Sequence, residues 1–169
     1  VDIKNWNDLT ELYKTLKTSE HNYKFIVFDL ISDIYYYLED YICETNGVKA
    51  IADMGYGKGF QEVRRIFQNM LKSFNSIGLN VCMISHSETK ERECDDGIKR
   101  VYTDTSLPAK PNGIACGLCD FIFYVHSDGK NRVARTKPTK TINAGDRTGR
   151  LPEIVPLNYG EIIKCLGQK

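Results

Sequence analysis

Lys24-Phe25-Ile26-Val27-Phe28-Asp29 decides the class of fold. It is a short, unbroken run of apolar strand formers closed by a carboxylate. Apolar and polar residues do not alternate in it, which predicts a strand covered on both faces, as in a parallel sheet. On its N-terminal side, Asn7 or Asp8 can cap a helix running to about Leu16, with Leu9, Leu12, Tyr13 and Leu16 along one face. On its C-terminal side, Ser32 or Asp33 can cap a second helix with the apolar stripe Ile34, Tyr37, Leu38, Tyr41 and Ile42. Gly55-Tyr56-Gly57-Lys58-Gly59 is a loop. Residues 60–77 follow a helical period, with Val63, Phe67, Met70, Leu71 and Phe74 on one face and Gly78 as the C-terminal cap. Leu79-Asn80-Val81-Cys82-Met83-Ile84-Ser85-His86 is then a second buried strand.

Farther along, residues 87–112 are polar, charged and broken by Gly97, Pro108 and Pro111, which predicts a long loop. A short helix over 113–119 precedes a third apolar strand, Phe121-Ile122-Phe123-Tyr124-Val125. Ser127-Asp128-Gly129-Lys130-Asn131 is a turn, with residues 132–136 as the antiparallel return. A basic, glycine-containing loop over 138–150, a short strand near 154–157 and a helix over about 159–166 complete the chain. Strands alternating with long helices predict one α/β domain over residues 1–169, with a mainly parallel sheet and antiparallel strands toward the C-terminus.

Composition narrows the function classes. The chain of 169 residues is 41% hydrophobic and 27% charged, with a net charge of +1. That is globular rather than disordered, and it exerts no global pull on nucleic acid or membrane. No apolar run approaches the roughly 20 residues that cross a bilayer, so no membrane partner is expected. The six cysteines, several inside apolar segments, do not form the dense framework of a small secreted domain, and a reducing cytoplasm is the expected location.

In open parallel sheets ligands bind beyond the C-terminal ends of the strands, where Asp29 and His86 both fall. An apolar strand closed by an aspartate is the Walker B arrangement, whose carboxylate holds magnesium beside a nucleotide's phosphates. Asp29 has that reading, or the plainer one of ending its strand and capping the next helix. His86 reads either as a group that senses phosphate or orients water, or as a polar strand end. The loop around Lys58 is not a Walker A motif: one residue separates Gly55 from Gly57, Gly59 follows Lys58, and no apolar strand precedes it. No other segment offers a phosphate cradle. Cys116-x-x-Cys119 would need two more ligands to hold zinc, Cys94 and His126 being conceivable, and packing explains the pair as well. Between 132 and 150, Arg132, Arg135, Lys137, Lys140, Arg147 and Arg150 stand against Asp146 alone, a balance suited to phosphate on a nucleotide or a nucleic-acid backbone. Lys58, Arg64 and Arg65 form a second basic group, and Lys90 and Arg100 lie in the polar stretch. Solvated surface is the alternative for all of them.

Phe25-Ile26-Val27-Phe28-Asp29, Gly55-Tyr56-Gly57-Lys58-Gly59, Met83-Ile84-Ser85-His86-Ser87, Leu118-Cys119-Asp120-Phe121-Ile122, Thr136-Lys137-Pro138-Thr139 and Ala144-Gly145-Asp146-Arg147-Thr148-Gly149-Arg150-Leu151-Pro152 occur in this order over nearly the whole chain. Together they resemble the RecA-like P-loop ATPases of phages and prophages, phage nucleotide-binding proteins of the AAA type. The resemblance implies a three-layer RecA-like core that binds ATP and magnesium, with some members acting in DNA recombination or single-strand annealing. It implies Asp29 as the Walker B aspartate, holding magnesium and serving catalysis with His86, and Ser85 beside it at the nucleotide. Lys137, Arg147 and Arg150 become candidates for nucleotide contact, in a homo-oligomer on a neighbouring subunit. Lys58, Arg64, Arg65, Lys90 and Arg100 become candidates for single-stranded DNA, because the loops they occupy or adjoin, Gly55–Gly59 and 87–112, correspond to ones that face DNA in RecA-like proteins. The family's Walker A loop, first strand and water-activating acid would precede Val1, so these residues alone are expected not to hydrolyse ATP. The alternatives are a nucleotide-dependent DNA-binding module without catalysis and an interaction fragment.

Overall fold

A computed structural model of the chain describes residues 1–93 and 97–167. The elements in order are α1 (Trp6–Thr18), β1 (Phe25–Asp29), α2 (Ile31–Asn46), a 3-10 turn (Ile51–Met54), α3 (Lys58–Ser76), β2 (Asn80–Ile84), β3 (Ser87–Glu93), β4 (Lys99–Thr105), α4 (Ala109–Leu118), β5 (Phe121–Ile122), β6 (Tyr124–Ser127), β7 (Arg132–Arg135), β8 (Gly145–Asp146), β9 (Ile154–Pro156) and α5 (Tyr159–Cys165). The chain divides into two compact units, one of Val1–His86 with Ser106–Ala115 and one of Ser87–Thr105 with Cys116–Lys169.

In the first unit β1 and β2 pair in parallel, from Phe25 opposite Asn80 to Asp29 opposite Ile84. Their inward side chains pack on the helices through Phe74 of α3, which meets Phe28 and Tyr13 edge-on at ring separations of 5.1 and 5.2 Å. Tyr35 of α2 meets Phe67 of α3 in the same way. Leu9, Ile34, Leu38, Val63, Phe67 and Leu71 fill the space between the helices. The opposite face of the strand pair is bare: Phe25 and Val27 are 51% and 52% exposed, and Ile84 is 41% exposed. The expectation of strands buried on both faces is therefore corrected within this unit. An unbroken apolar run has no polar side to show which face is left open.

Local chemistry sets the helix boundaries. Asn5, not Asn7 or Asp8, caps α1, its Oδ1 accepting from the Asp8 N–H at 3.0 Å. Leu30 precedes α2 without a side-chain cap, which puts Ser32 and Asp33 inside its first turn. The helix α3 starts at Lys58, two residues before its apolar period begins. The start needs glycine at 59, because a Cβ there would lie 2.6 Å from the Ile51 carbonyl oxygen.

The second unit overturns the expected loop over 87–112. Ser87–Glu93 and Lys99–Thr105 form an antiparallel hairpin in register from Ser87 opposite Thr105 to Glu93 opposite Lys99. Its strands are polar on most positions, so the ladder rests on backbone hydrogen bonds that leave no apolar pattern to read. Thr103 donates its N–H to the Thr141 carbonyl and accepts from the Asn143 N–H, joining residues 141–143 to the hairpin. The stretch 121–125 splits between two sheets: β5 pairs with β8, and β6 pairs with β7, which also pairs with β9. The expected antiparallel return at 132–136 is present, Tyr124 standing opposite Arg135. Val133, Ala134 and Val155 form the small core of that sheet. The fold is mixed α/β in small sheets. Among the described residues parallel pairing is confined to β1–β2 and a single bridge between Thr103 and Ile142, whereas the expected sheet was mainly parallel. Parallel neighbours need a long crossover, and after β2 the chain reverses through short turns instead.

Candidate active site

Asp29 ends β1 directly opposite Ile84, the last residue of β2. The carboxylate, the Ser85 hydroxyl and His86 therefore emerge at one end of the parallel pair, on successive residues. Asp29 is exposed, and among the described residues no hydrogen bond or ion pair engages its carboxylate. Partial burial and the Asp29 charge push the thiol of Cys82, on the same bare face, above its ordinary value.

Ser85 and His86 are tied to a residue the sequence reading missed. Ser106 donates its N–H to the His86 carbonyl at 2.9 Å and to the Ser85 Oγ at 3.2 Å. The two serine hydroxyls lie 3.1 Å apart, and the Ser85 hydroxyl donates to the His86 carbonyl at 3.0 Å. Ser106 lies within a stretch read as loop and belongs to no motif, so nothing in the sequence marks it. The packing of Leu107, which is 1% exposed, holds it in place.

The basic candidates fall in two places. Lys58, the first residue of α3, and Arg65, two turns farther on, are exposed; two residues before Lys58 stands a fully exposed Tyr56 whose φ of 47° is unusual for a residue other than glycine. Arg64 is half-buried, and its charge acts on Tyr35. Burial raises the Tyr35 phenol, and the hydrogen bond to Glu39 raises it further. The other candidates belong to the second unit. Lys90 pairs with Glu88 at 3.8 Å, and Arg100 lies on β4 opposite Arg92.

Lys137, Arg147 and Arg150 all have partners within the second unit. Lys137 Nζ donates to Asp146 Oδ2 at 3.2 Å. Arg147 donates to the Gly117 carbonyl at 2.6 Å, and Arg150 to the Leu166 carbonyl at 2.9 Å. The Asp146 side chain is fully buried. Its Oδ1 accepts from the N–H and hydroxyl of Thr148, and its Oδ2 accepts from the Leu151 N–H. Burial alone would raise this carboxyl, but the hydrogen bonds from Thr148, Leu151 and Lys137 outweigh it and hold it well below the usual carboxylate range. The motif around Asp146 is thus a self-bonded loop, and a nucleotide contact from its cations would have to share donors with these bonds.

Cys116 lies near Asp104 and Cys119, and Asn143 donates to both Asp104 Oδ1 and Cys116 Sγ. Burial, with the Asp104 charge, pushes the Cys116 thiol up to about 11, so it is neutral at pH 7. Among the described residues no group of three His, Cys, Asp or Glu side chains is placed to hold a metal ion, and Cys94 lies outside those residues. None of the described helices is long and apolar enough to cross a membrane.

The open Asp29 carboxylate at this strand end is an oxygen donor of the kind a magnesium ion takes, with room for the waters it keeps. The family model of the AAA domain matches residues 1–148. No curated protein matches the chain, and no solved structure does.

Proposed function

The chain belongs to the AAA domain family of nucleotide-binding, ATPase-like domains, and on that premise we propose that it is part of a RecA-like P-loop ATPase of the phage type that acts on single-stranded DNA in recombination or annealing. The observation that carries this reading is the register of Asp29 opposite Ile84, which brings Asp29 and the two residues after Ile84, Ser85 and His86, to the same end of the parallel pair. In this reading Asp29 holds magnesium through water, and Ser85 and His86 face the terminal phosphate. When bound, magnesium would neutralise charge on the phosphates, and the chain's own residues would position it.

The bare apolar face of β1 and β2 supports a third layer in the complete assembly, since parallel strands are stable when both faces are covered. The exposed Tyr56, two residues before Lys58, supports a DNA contact, because an aromatic ring stacks on any base and a neighbouring cation tracks the phosphates. A second reading, a nucleotide-dependent binding module without hydrolysis, draws support from the lack of Walker A spacing in these 169 residues.

The test is magnesium-ATP binding and hydrolysis by the full-length natural protein, with and without single-stranded DNA. Asp29→Ala is expected to abolish hydrolysis while leaving the melting temperature unchanged. Hydrolysis surviving in that variant would remove Asp29 from the site. Binding without DNA-stimulated turnover would favour the second reading.

A further inference from the structure

Within the second unit, Cys116 and Cys119 stand on either side of the end of α4. The Cys119 N–H donates to the Cys116 carbonyl at 3.2 Å and closes a turn between them. Such a turn holds its first and last Cα atoms within about 7 Å, and a disulfide spans about 4.4–6.8 Å between Cα atoms. Arg147 braces the turn from outside. Its guanidinium donates to the Gly117 carbonyl at 2.6 Å, and its N–H donates to the Asp120 carbonyl at 3.0 Å. The thiols are close enough for Cys119 to act electrostatically on Cys116. The backbone therefore has both the reach and the restraint that a bond between the two sulfurs needs.

The two sulfurs are not equivalent. Asn143 donates to Cys116 Sγ at 3.9 Å and, through the same amide, to Asp104 Oδ1 at 2.9 Å. Burial and the charges of Asp104 and Cys119 push the Cys116 thiol up, and the last turn of a helix further disfavours negative charge. Thiolates attack disulfides and thiols do not, so Cys116 is a poor first nucleophile. Cys119 lies one residue past the helix and is half-buried. The arrangement reverses that of redox enzymes, in which a helix N-terminus lowers a thiol of the Cys-x-x-Cys pair and makes its disulfide a strong oxidant. Here a disulfide would have in Cys116 a poor leaving group and would resist reopening.

We propose that Cys116 and Cys119 form a redox-active dithiol that a small disulfide, of the class of glutathione disulfide, converts to a bond between them, with Cys119 as the entry thiol and Cys116 as the resolving thiol. The Cys119 thiolate attacks one sulfur of the small disulfide, whose S–S bond breaks and releases one thiolate, which takes up a proton. Cys116, its proton given to water, then attacks the Cys119 sulfur and displaces the second small thiolate. The protein loses two electrons and two protons, and the small disulfide gains them as two thiols. This inference is independent of the nucleotide reading.

The test holds the reduced full-length natural protein with excess glutathione disulfide at pH 8, without denaturant, and reads the peptide that contains both cysteines by mass spectrometry. In the wild type this peptide should become lighter by one pair of hydrogens and keep no glutathione. In Cys116→Ala it should keep one glutathione, on Cys119, and Cys116→Ser gives the same reading should the alanine variant fail to fold. In Cys119→Ser, Cys116 should remain a thiol. Reduced glutathione should then open the wild-type disulfide about tenfold or more slowly than it strips glutathione from Cys116→Ala, because Cys116 is the poorer leaving thiol. A wild-type peptide that stays reduced, that keeps glutathione, or that closes only in denaturant would overturn the proposal. Glutathione on Cys116 in Cys119→Ser, or equal reopening rates, would overturn the assignment of entry and resolving thiols.

Discussion

Replacing Asp146 by asparagine is the sharpest test of how the second unit is held. The fully buried carboxylate receives four donors, the N–H and hydroxyl of Thr148 on Oδ1 and the Leu151 N–H and Lys137 Nζ on Oδ2. Asparagine keeps one acceptor oxygen and puts an amide nitrogen in place of the other. Turned toward Leu151 and Lys137, the NH2 group leaves both donors without an acceptor; turned toward Thr148, it strands the Thr148 N–H and makes the hydroxyl rotate from donor to acceptor, so two charge-assisted bonds are lost in either case. Charge-assisted hydrogen bonds contribute about 1.5–3 kcal/mol each, so the loss of two should be about 3–6 kcal/mol. That is a large part of the roughly 5–15 kcal/mol that holds a domain together. The sign with pH follows from the depressed carboxyl: its contribution is complete above the unfolded value near 4 and is lost as pH falls from there toward the lower folded value. Asparagine does not titrate, so the gap between wild type and variant should hold steady from about pH 7 to 5 and shrink below about pH 4. Urea denaturation followed by far-ultraviolet circular dichroism gives the gap. Exchange at the Thr148 and Leu151 amides locates it, which the single tryptophan, Trp6 in α1, cannot do. A variant within about 1 kcal/mol of wild type at pH 7, or a gap that widens in acid, would refute the hub assignment.

Gly59→Ala should destabilise the first unit by about 1–3 kcal/mol, because the new methyl meets the Ile51 carbonyl and the sulfur of Met54 within 3 Å. A lower melting temperature with little change in secondary structure would register it, and an unchanged one would mean that the 3-10 turn gives way freely. In thiol labelling of the native protein at pH 8, exposed Cys165 should react first, while Cys116, pushed up to about 11, should stay unlabelled until denaturant is added. Mass spectrometry of the labelled peptides reads both, and fast labelling of Cys116 would contradict its burial.

Much of the first unit was legible because it obeys short-range rules. The helical period of Val63, Phe67, Met70 and Phe74 and the apolar runs at Phe25 and Val81 gave the helices and both strands, and placed Asp29 and His86 at one end of the sheet. Position along a strand needs no partner to be read. The hairpin at Ser87–Glu93 and Lys99–Thr105 was not legible, since strands polar on most positions carry no pattern that separates them from loop. The same holds for Ser106, whose importance lies in a hydroxyl and an amide brought to Ser85 by chain reversal. The cluster of basic residues between 132 and 150 was visible, but its bonding was not. Charge is a property of each side chain, whereas the engagement of Lys137 by Asp146, Arg147 by the Gly117 carbonyl and Arg150 by the Leu166 carbonyl depends on where distant backbone comes to rest.

The sequence by itself therefore determined the element types of the first unit, the strand-end carboxylate and the lack of a Walker A spacing, because all three are written in residues close along the chain. Tertiary structure alone decided that β1 and β2 keep one apolar face bare, that Asp146 is a buried anion satisfied by four donors, and that the hydroxyls of Ser85 and Ser106 meet across 21 positions of chain. Those outcomes depend on burial and on hydrogen-bond partners many residues apart, which no local pattern encodes.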